Sequence, residues 1–443
     1  MRAQGRALRD KVSRQSQEEW KAPAKRTDPL KLLANSNQGR VAQLIPIRYG
    51  RILQSPFTFY RGAAAIMAAD LARTPSSGIR LQACGDCHLL NFGAYATPER
   101  RLVFDINDFD ETAPAPWVWD LKRLAASFVI AGRSNSFRAA DSKDAAIECV
   151  RAYREAMAEF AEMTVLDLWY ASLDLDKVMD SLRAQDRVRI RKRIAKAWAR
   201  SIPEMDVPKL VSLEGKTPVI RDNPPLIFHE QKENSKTICG QRPAHVRRVC
   251  RFSAGRETDA GSSLPDPRRR QQGGGRRKRR HMVCDCVLAI RRGRLAVPPG
   301  QGGRTSVLEP YAGKSQHNNR GQRVVIGQRI MQAASDVFLG WTAGDRGRHF
   351  YVRQLHDVKI KPIVEVFQPV LMNEYARICG WVLARAHAGT GQPAVLSGYM
   401  GKSDRLNKAV ADFAVAYADQ NEQDHSLLTK AVRDGKIEVQ LER

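Results

Sequence analysis

Apolar and polar positions divide the chain into a patterned first half, a stretch without periodicity, and a patterned last third. Ala63 to Leu71 has the small-residue spacing of a helix, and Leu102-Val103-Phe104 has the length and composition of a buried strand. Asp120 to Phe128 returns to helical spacing, with Asp120 near the start, where an acidic side chain suits the helix dipole. From Ser136 to Ser201 the period stays helical, first through Ala-rich turns and then along a basic face in RAQDRVRIRKRIAKAWARS. Pro203 to Glu230 reads as loops and edge strands. Periodicity resumes with Arg320 to Leu339, a predicted helix with Gly340 in the stop position, and with the strand-like alternation of Phe350 to Leu355. Glu374 to His387 and Leu406 to Asp424 predict two more amphipathic helices, the second with Phe413 and Tyr417 on one face. No internal repeat stands out, and no run approaches the roughly 18 apolar residues of a spanning helix.

With 443 residues, 43% of them hydrophobic, the chain has material for a sizeable core, and a mean hydropathy of -0.44 argues against a membrane protein. Its first residues, MRAQGRALRDKVSRQSQEEWKAPAKR, lack an apolar signal region, which predicts a cytoplasmic protein. Residues 1–40 read as a loosely ordered basic arm. A formal charge of +26 and a pI near 10.1 suggest an anionic partner such as nucleic acid. Half of that excess, however, lies between Gly240 and Arg304. Eight cysteines would stay reduced in such a compartment. Cys84 and Cys87 form a CxxC, but no second pair follows at a finger spacing, which counts against zinc.

The densest chemistry lies between Cys84 and Asp120, CGDCHLLNFGAYATPERRLVFDINDFDETAPAPWVWD. Asp86, His88 and Asn91 fall on one loop, and Asp105, Asp108, Asp110 and Glu111 cluster at the end of the strand that follows. Massed carboxylates near apolar backbone are costly unless hydrogen bonds or a cation compensate them. Hard oxygen donors of this kind suit Mg²⁺. The competing reading makes the same residues Asx-turns and a helix N-cap. Arg48, Arg51 and Arg61 surround the aromatic SPFTFYRGAA, where they either contact phosphate or form a salt-bridged packing motif.

Gly85-Asp86-x-His88-x-x-Asn91, then a strand ending in Asp105, resembles the catalytic loop and metal-binding Asp of the aminoglycoside-phosphotransferase branch of the protein-kinase-like fold. More closely, SPFTFYRGAA, GDCHLLNFG, FDINDFDE, WDLKRLAAS, GQRVVIGQR, YVRQLHDVK and FAVAYADQ together resemble the bacterial DUF2252 family. The kinase-like resemblance implies an α+β, helix-rich, two-lobed fold, or a circular permutation of it, and transfer of a phosphoryl group from ATP to a small-molecule hydroxyl with Mg²⁺. It implies Asp86 as base, His88 and Asp120 as supports, and Asn91 and Asp105 as metal ligands. Asp108, which opens a DFG-like Asp-Phe, is a rival, and Asp108 or Asp110 would take a second ion. Arg353 and Lys359 become candidates for phosphate contact.

Between Glu230 and Ser306 the resemblance stops and then resumes abruptly. Gln272 to Met282 can be encoded so that a one-base shift reads KVVGVGSVGTW, and Ala296 to Gly303 so that it reads LFLQVKEA. Those strings resemble the family's glycine-rich turn and Lys-bearing strand, so 231–305 reads as a frame-shifted, disordered basic segment. It separates a 41–230 lobe with the catalytic loop from the 306–443 remainder of the same domain. The chain as it stands is then impaired in nucleotide binding. Two alternatives stay open: a nucleic-acid-binding protein using Arg268 to Arg280, and a metal-binding pseudoenzyme.

Overall fold

The computed structural model describes residues 1–40, 42–180, 186–192, 195, 211–214, 217–220, 302–336, 339–343, 349–353 and 359–441. Helices α1 (Arg2–Lys11), α2 (Pro29–Asn35), α3 (Ile45–Leu53), α4 (Pro56–Gly62) and α5 (Ala64–Leu71) lead into strands β1 (Arg80–Ala83), β2 (Phe92–Ala96), β3 (Leu102–Ile106) and β4 (Ala113–Pro116). Next come α6 (Trp117–Ser134), α7 (Ala139–Phe160), α8 (Val165–Tyr170), α9 (Leu175–Asp180) and the hairpin β5 (Val211–Glu214) to β6 (Thr217–Ile220). The carboxy-terminal part holds β7 (Gly302–Gly303), α10 (Glu309–Ala312), α11 (Arg320–Met331), β8 (Gly340–Ala343), β9 (His349–Val352) and β10 (Lys359–Ile360). Three helices close the chain: α12 (Pro369–Ala388), α13 (Pro393–Met400) and α14 (Arg405–Arg433).

Helices dominate, and the sheets are small and antiparallel, in the orders β1-β4, β10-β2-β3, β5-β6 and β7-β9-β8, so the class is α+β. Its centre is α6, which is apolar on every side but for a few residues and is buried from Trp117 through Gly132, as such a helix must be. α7, α12 and α14 pack around it. Trp117 stacks on Tyr153 of α7 with ring centroids 5.9 Å apart. Where α4 begins, Ser55 and Thr58 form a reciprocal cap: Thr58 N donates to Ser55 Oγ at 3.1 Å and Ser55 N to Thr58 Oγ1 at 3.0 Å.

Two expectations change. The first forty residues are not a loose arm; they form α1, α2 and a 3₁₀ turn at Gln15–Glu18. α1 lies so close to α13 that a Cβ at Gly5 or at Gly398 would overlap the facing backbone, and Arg9 Nε donates to Tyr399 O at 2.8 Å. Basic residues exposed on one face had concealed a helix with a docking face. The Arg320 helix stops at Met331 rather than at Gly340, which opens β8. Ala333 N donates to Asp105 Oδ2 at 2.8 Å, so a side chain of the neighbouring strand takes up the backbone N–H that a longer helix would have used internally, and the Gln332 side chain adds a bond from Nε2 to Ile106 O at 2.7 Å. Residues 221–301, with Arg268 to Arg280 and most of the predicted basic segment, lie outside the described residues.

Candidate active site

The loop that carries Asp86 leaves β1 at Ala83 and enters β2 at Phe92, while β4, paired with β1, feeds directly into α6. That places the first turn of α6 beneath the loop. Asp120 accepts Cys84 N at 2.7 Å on Oδ2 and Gly85 N at 3.0 Å on Oδ1. Its Oδ2 also meets His387 Nε2 at 3.2 Å, and His387 Nδ1 lies 2.9 Å from the Tyr153 hydroxyl. Gly85 has φ of 84°, and a Cβ there would overlap the Glu111 carbonyl, so only glycine lets the loop lie against the acidic segment. Further along, Leu89 N donates to Ser127 Oγ at 3.0 Å.

Asp86 is gripped from α6. Arg123 Nε donates to Asp86 Oδ1 at 2.8 Å, and Arg123 Nη2 donates to the same oxygen and, at 3.1 Å, to Tyr60 O. The guanidinium is buried and lies 4.5 Å from the Tyr60 ring centroid. Asp86 Oδ2 keeps a partly open position, with the Asp86 side chain 22% exposed. His88 Nε2 stands 4.0 Å from that oxygen. This is too long for a hydrogen bond, and burial with Arg123, Arg61 and Lys361 nearby pushes the imidazole pKa well down, so His88 is neutral and the two do not form an ion pair. His88 Nδ1 is buried without a hydrogen-bond partner among the described residues. The side chain of His88 therefore does not tie the loop, contrary to its expected supporting role.

Asn91 completes the loop. Its Nδ2 donates to Asp86 O at 2.6 Å, and its own carbonyl accepts Asn107 N at 2.7 Å, which joins the loop to the chain just beyond β3. With its amide N–H so used, Asn91 Oδ1 is the atom left for a cation.

The acidic residues after β2 and β3 separate into two groups. Asp105 sits within β3, 2% exposed, with Oδ1 accepting Ile106 N and Oδ2 accepting Ala333 N, both at 2.8 Å. Burial raises its pKa, partly countered by Arg385. It holds β3 against the end of α11, so Asp105, expected as a metal ligand, is engaged on both oxygens with backbone N–H groups. Asp108 follows the strand, half-buried, close enough for its charge to act on both His88 and Asp110. Its Oδ1 accepts Asp110 N at 3.1 Å, an Asx-turn that leaves Oδ2 to other partners.

Asp110 Oδ1 accepts the Tyr351 hydroxyl at 2.7 Å. Burial and the Asp108 charge push the Asp110 carboxyl up to about 7, against the lowering effect of the Tyr351 bond and of Arg353. Arg353 thus belongs to this acidic end, with its guanidinium 5.7 Å from the Tyr351 ring centroid. Lys359 pairs through its backbone with Tyr95 in β10, and its side chain lies outside the described residues. Glu111 accepts Val307 N at 2.7 Å, and burial raises its pKa despite Arg323. Arg323 of α11 donates to the carbonyls of Thr112 and, at 2.7 Å, Asp110.

Cys84, Cys87 and Asp120 bring two sulfurs and a carboxylate oxygen within 4.8 Å of one another, all buried. Asp120 already serves two backbone N–H groups and His387, and burial pushes the Cys87 thiol up to about 12. Reduced, protonated thiols that pack under the loop account for the pair.

Arg123, Tyr351 and Arg323 bind the Asp86 loop or the acidic segment, and sequence reasoning gave them no role there. Arg123 had one signal: it lies three residues after Asp120 in an otherwise apolar helix, so both face the same loop. No curated protein and no solved structure matches the chain. The family model described as "Uncharacterized protein conserved in bacteria (DUF2252)" matches residues 40–431, most of the chain, and the protein therefore belongs to the DUF2252 family.

Proposed function

We propose that the protein is a kinase-like phosphotransferase that moves a phosphoryl group from a nucleotide to a small-molecule hydroxyl. Support comes from the coupling of two carboxylates through one hairpin: Asn91 binds the Asp86 carbonyl, β2 and β3 pair from Phe92 with Ile106 onward, and Asn107 returns to the Asn91 carbonyl so that Asp108 stands beside the same loop. Catalytic-loop chemistry needs a base and a metal ligand held in fixed relation in this way. In this reading the α6, α7, α12 and α14 bundle forms one lobe, and β7-β9-β8 with α11 belongs to the other.

Asn91 Oδ1 and the Asp108 carboxylate are hard oxygen donors, so this end of the loop fits Mg²⁺, with Asp105 excluded by its bonds to backbone. A magnesium ion bound there supplies charge neutralisation at the transferred phosphate. Asp86 Oδ2 accepts the proton of the acceptor hydroxyl. Arg123 holds Oδ1 and thereby fixes which oxygen faces the acceptor, and Asp120 fixes the loop itself. Neutral His88 flanks the open oxygen without competing for it as a cation. The resemblance places the glycine-rich turn and strand Lys in residues hidden by the shifted frame, so the chain as it stands should bind nucleotide weakly. Replacing Asp86 by Asn in a chain with the frame restored should lower phosphoryl transfer by about 10²–10⁴-fold while the chain stays folded by circular dichroism, with a lower melting temperature because buried Arg123 loses its charged partner; retained transfer would sink the assignment.

A further inference from the structure

We propose that Arg40, Arg48 and Arg304 form a phosphate-binding cleft beside the Asp86 loop, built to hold a phosphate group of a substrate. Its role in turnover rests on the phosphotransferase reading, whereas the binding itself does not. Arg48 is held by neutral acceptors only: Nη1 donates to Asn37 Oδ1 at 2.6 Å, and Nη2 to Ser36 Oγ at 3.1 Å and Gly62 O at 2.9 Å. Arg40 Nε donates to Ser36 O at 3.2 Å, so two guanidiniums converge on one serine. The Arg304 carbonyl is held at 2.9 Å by Arg323 Nη2, the same group that binds the Asp110 carbonyl.

These arginines connect to the candidate base through α4. Arg123, which grips Asp86, donates to the Tyr60 carbonyl, and Arg48 donates to the Gly62 carbonyl two residues further on. The end of α4 is thus a shared ledge, with Asp86 on one side and the arginines on the other.

None of the three arginines has a salt bridge among the described residues. Burial pushes the Arg40 pKa down to about 9, the charges of Arg48 and Arg304 push in the same direction, and those of Glu111 and Asp110 oppose them; Arg304 acts on Arg48 as well, so the three lie within one another's field. The nearest carboxylates are otherwise engaged, Glu111 with Val307 N and Asp110 with Tyr351. Glu111 and Asp110 offset these half-buried like charges only through space, with no ion pair to any of the three among the described residues, which leaves room for an anion with several acceptor oxygens. A phosphate group meets that need, since guanidinium forks match its geometry and its charge.

Calorimetric titration of the full chain with pyrophosphate, without metal, tests the cleft. Arg40→Gln/Arg304→Gln should weaken binding by about tenfold or more with an unchanged melting temperature, as expected for the loss of charge-assisted hydrogen bonds. Arg48 is left in place because its three bonds hold the local fold. A charge-matched control, Lys402→Gln/Lys430→Gln, should bind as the parent does. No binding by the parent, equal binding by the arginine variant, or an equal loss in the control would each overturn the proposal. Titration with Mg·ATP and with a sugar phosphate then identifies the source: whichever ligand loses affinity in the arginine variant supplies the phosphate. Asp86→Asn should keep pyrophosphate affinity. Phosphate binding together with no transfer by the frame-restored chain would leave the cleft standing and the phosphotransferase reading defeated; Asp86-dependent transfer by the frame-restored chain without phosphate binding would do the reverse.

Discussion

Asp110 shows how neighbours set the charge of a single carboxylate. Its pKa is about 7 in the folded protein against an ordinary value of 3.8, because burial and Asp108 oppose ionisation more than Tyr351 and Arg353 favour it. A carboxyl whose folded pKa is raised contributes stability that is fully present below about pH 4 and is lost as pH rises through about 7. Asp110→Asn should therefore be closest to the parent in stability near pH 4 and gain on it progressively up to pH 7, as read by urea unfolding at a series of pH values. A constant difference across that range would show that Asp110 ionises normally. At this scale the sequence was informative where spacing set residues on one loop, as for Asp86 and Asn91, which Asn91 Nδ2 joins through the Asp86 carbonyl. It was uninformative for Arg123, because a charge in an apolar helix reads as a solvated position until the fold shows it buried against Asp86.

At the scale of elements, Asp105 and Asp108 lie near the end of one apolar strand, and position after that strand favoured Asp105. Asp105 pairs opposite Gly93 inside the β2–β3 ladder and spends both oxygens on backbone N–H groups, whereas Asp108 lies beyond the ladder, and the proposed metal site uses Asp108 for that reason. Asp105→Asn should lower stability by about 1–3 kcal/mol, since one buried backbone N–H loses its acceptor, and leave Mg²⁺ affinity unchanged. Asp108→Asn should do the opposite. A loss of Mg²⁺ binding in the Asp105 variant with a normal melting temperature would return the ligand role to Asp105. Long helices were legible from their period, including the cores of α6, α7, α12 and α14. The early end of α11 was not, because the groups that stop it come from β3, far away in sequence.

For the whole molecule, the net charge of +26 suggested an anionic partner, and half of it belongs to the 240–304 segment, nearly all of which lies outside the described residues. Sequencing the DNA for Gln231 to Glu309 should reveal a single-base insertion and a compensating deletion. An intact frame would instead favour nucleic-acid binding through Arg268 to Arg280, with affinity falling by orders of magnitude between about 50 and 200 mM salt. The most direct test of the central claim is transfer of a labelled γ-phosphoryl group from Mg·ATP to a mixture of small-molecule alcohols, comparing the frame-restored chain with its Asp86→Asn variant. The account predicts transfer by the former and a loss of about 10²–10⁴-fold in the latter, which stays folded by circular dichroism. Equal transfer by the two chains would contradict it.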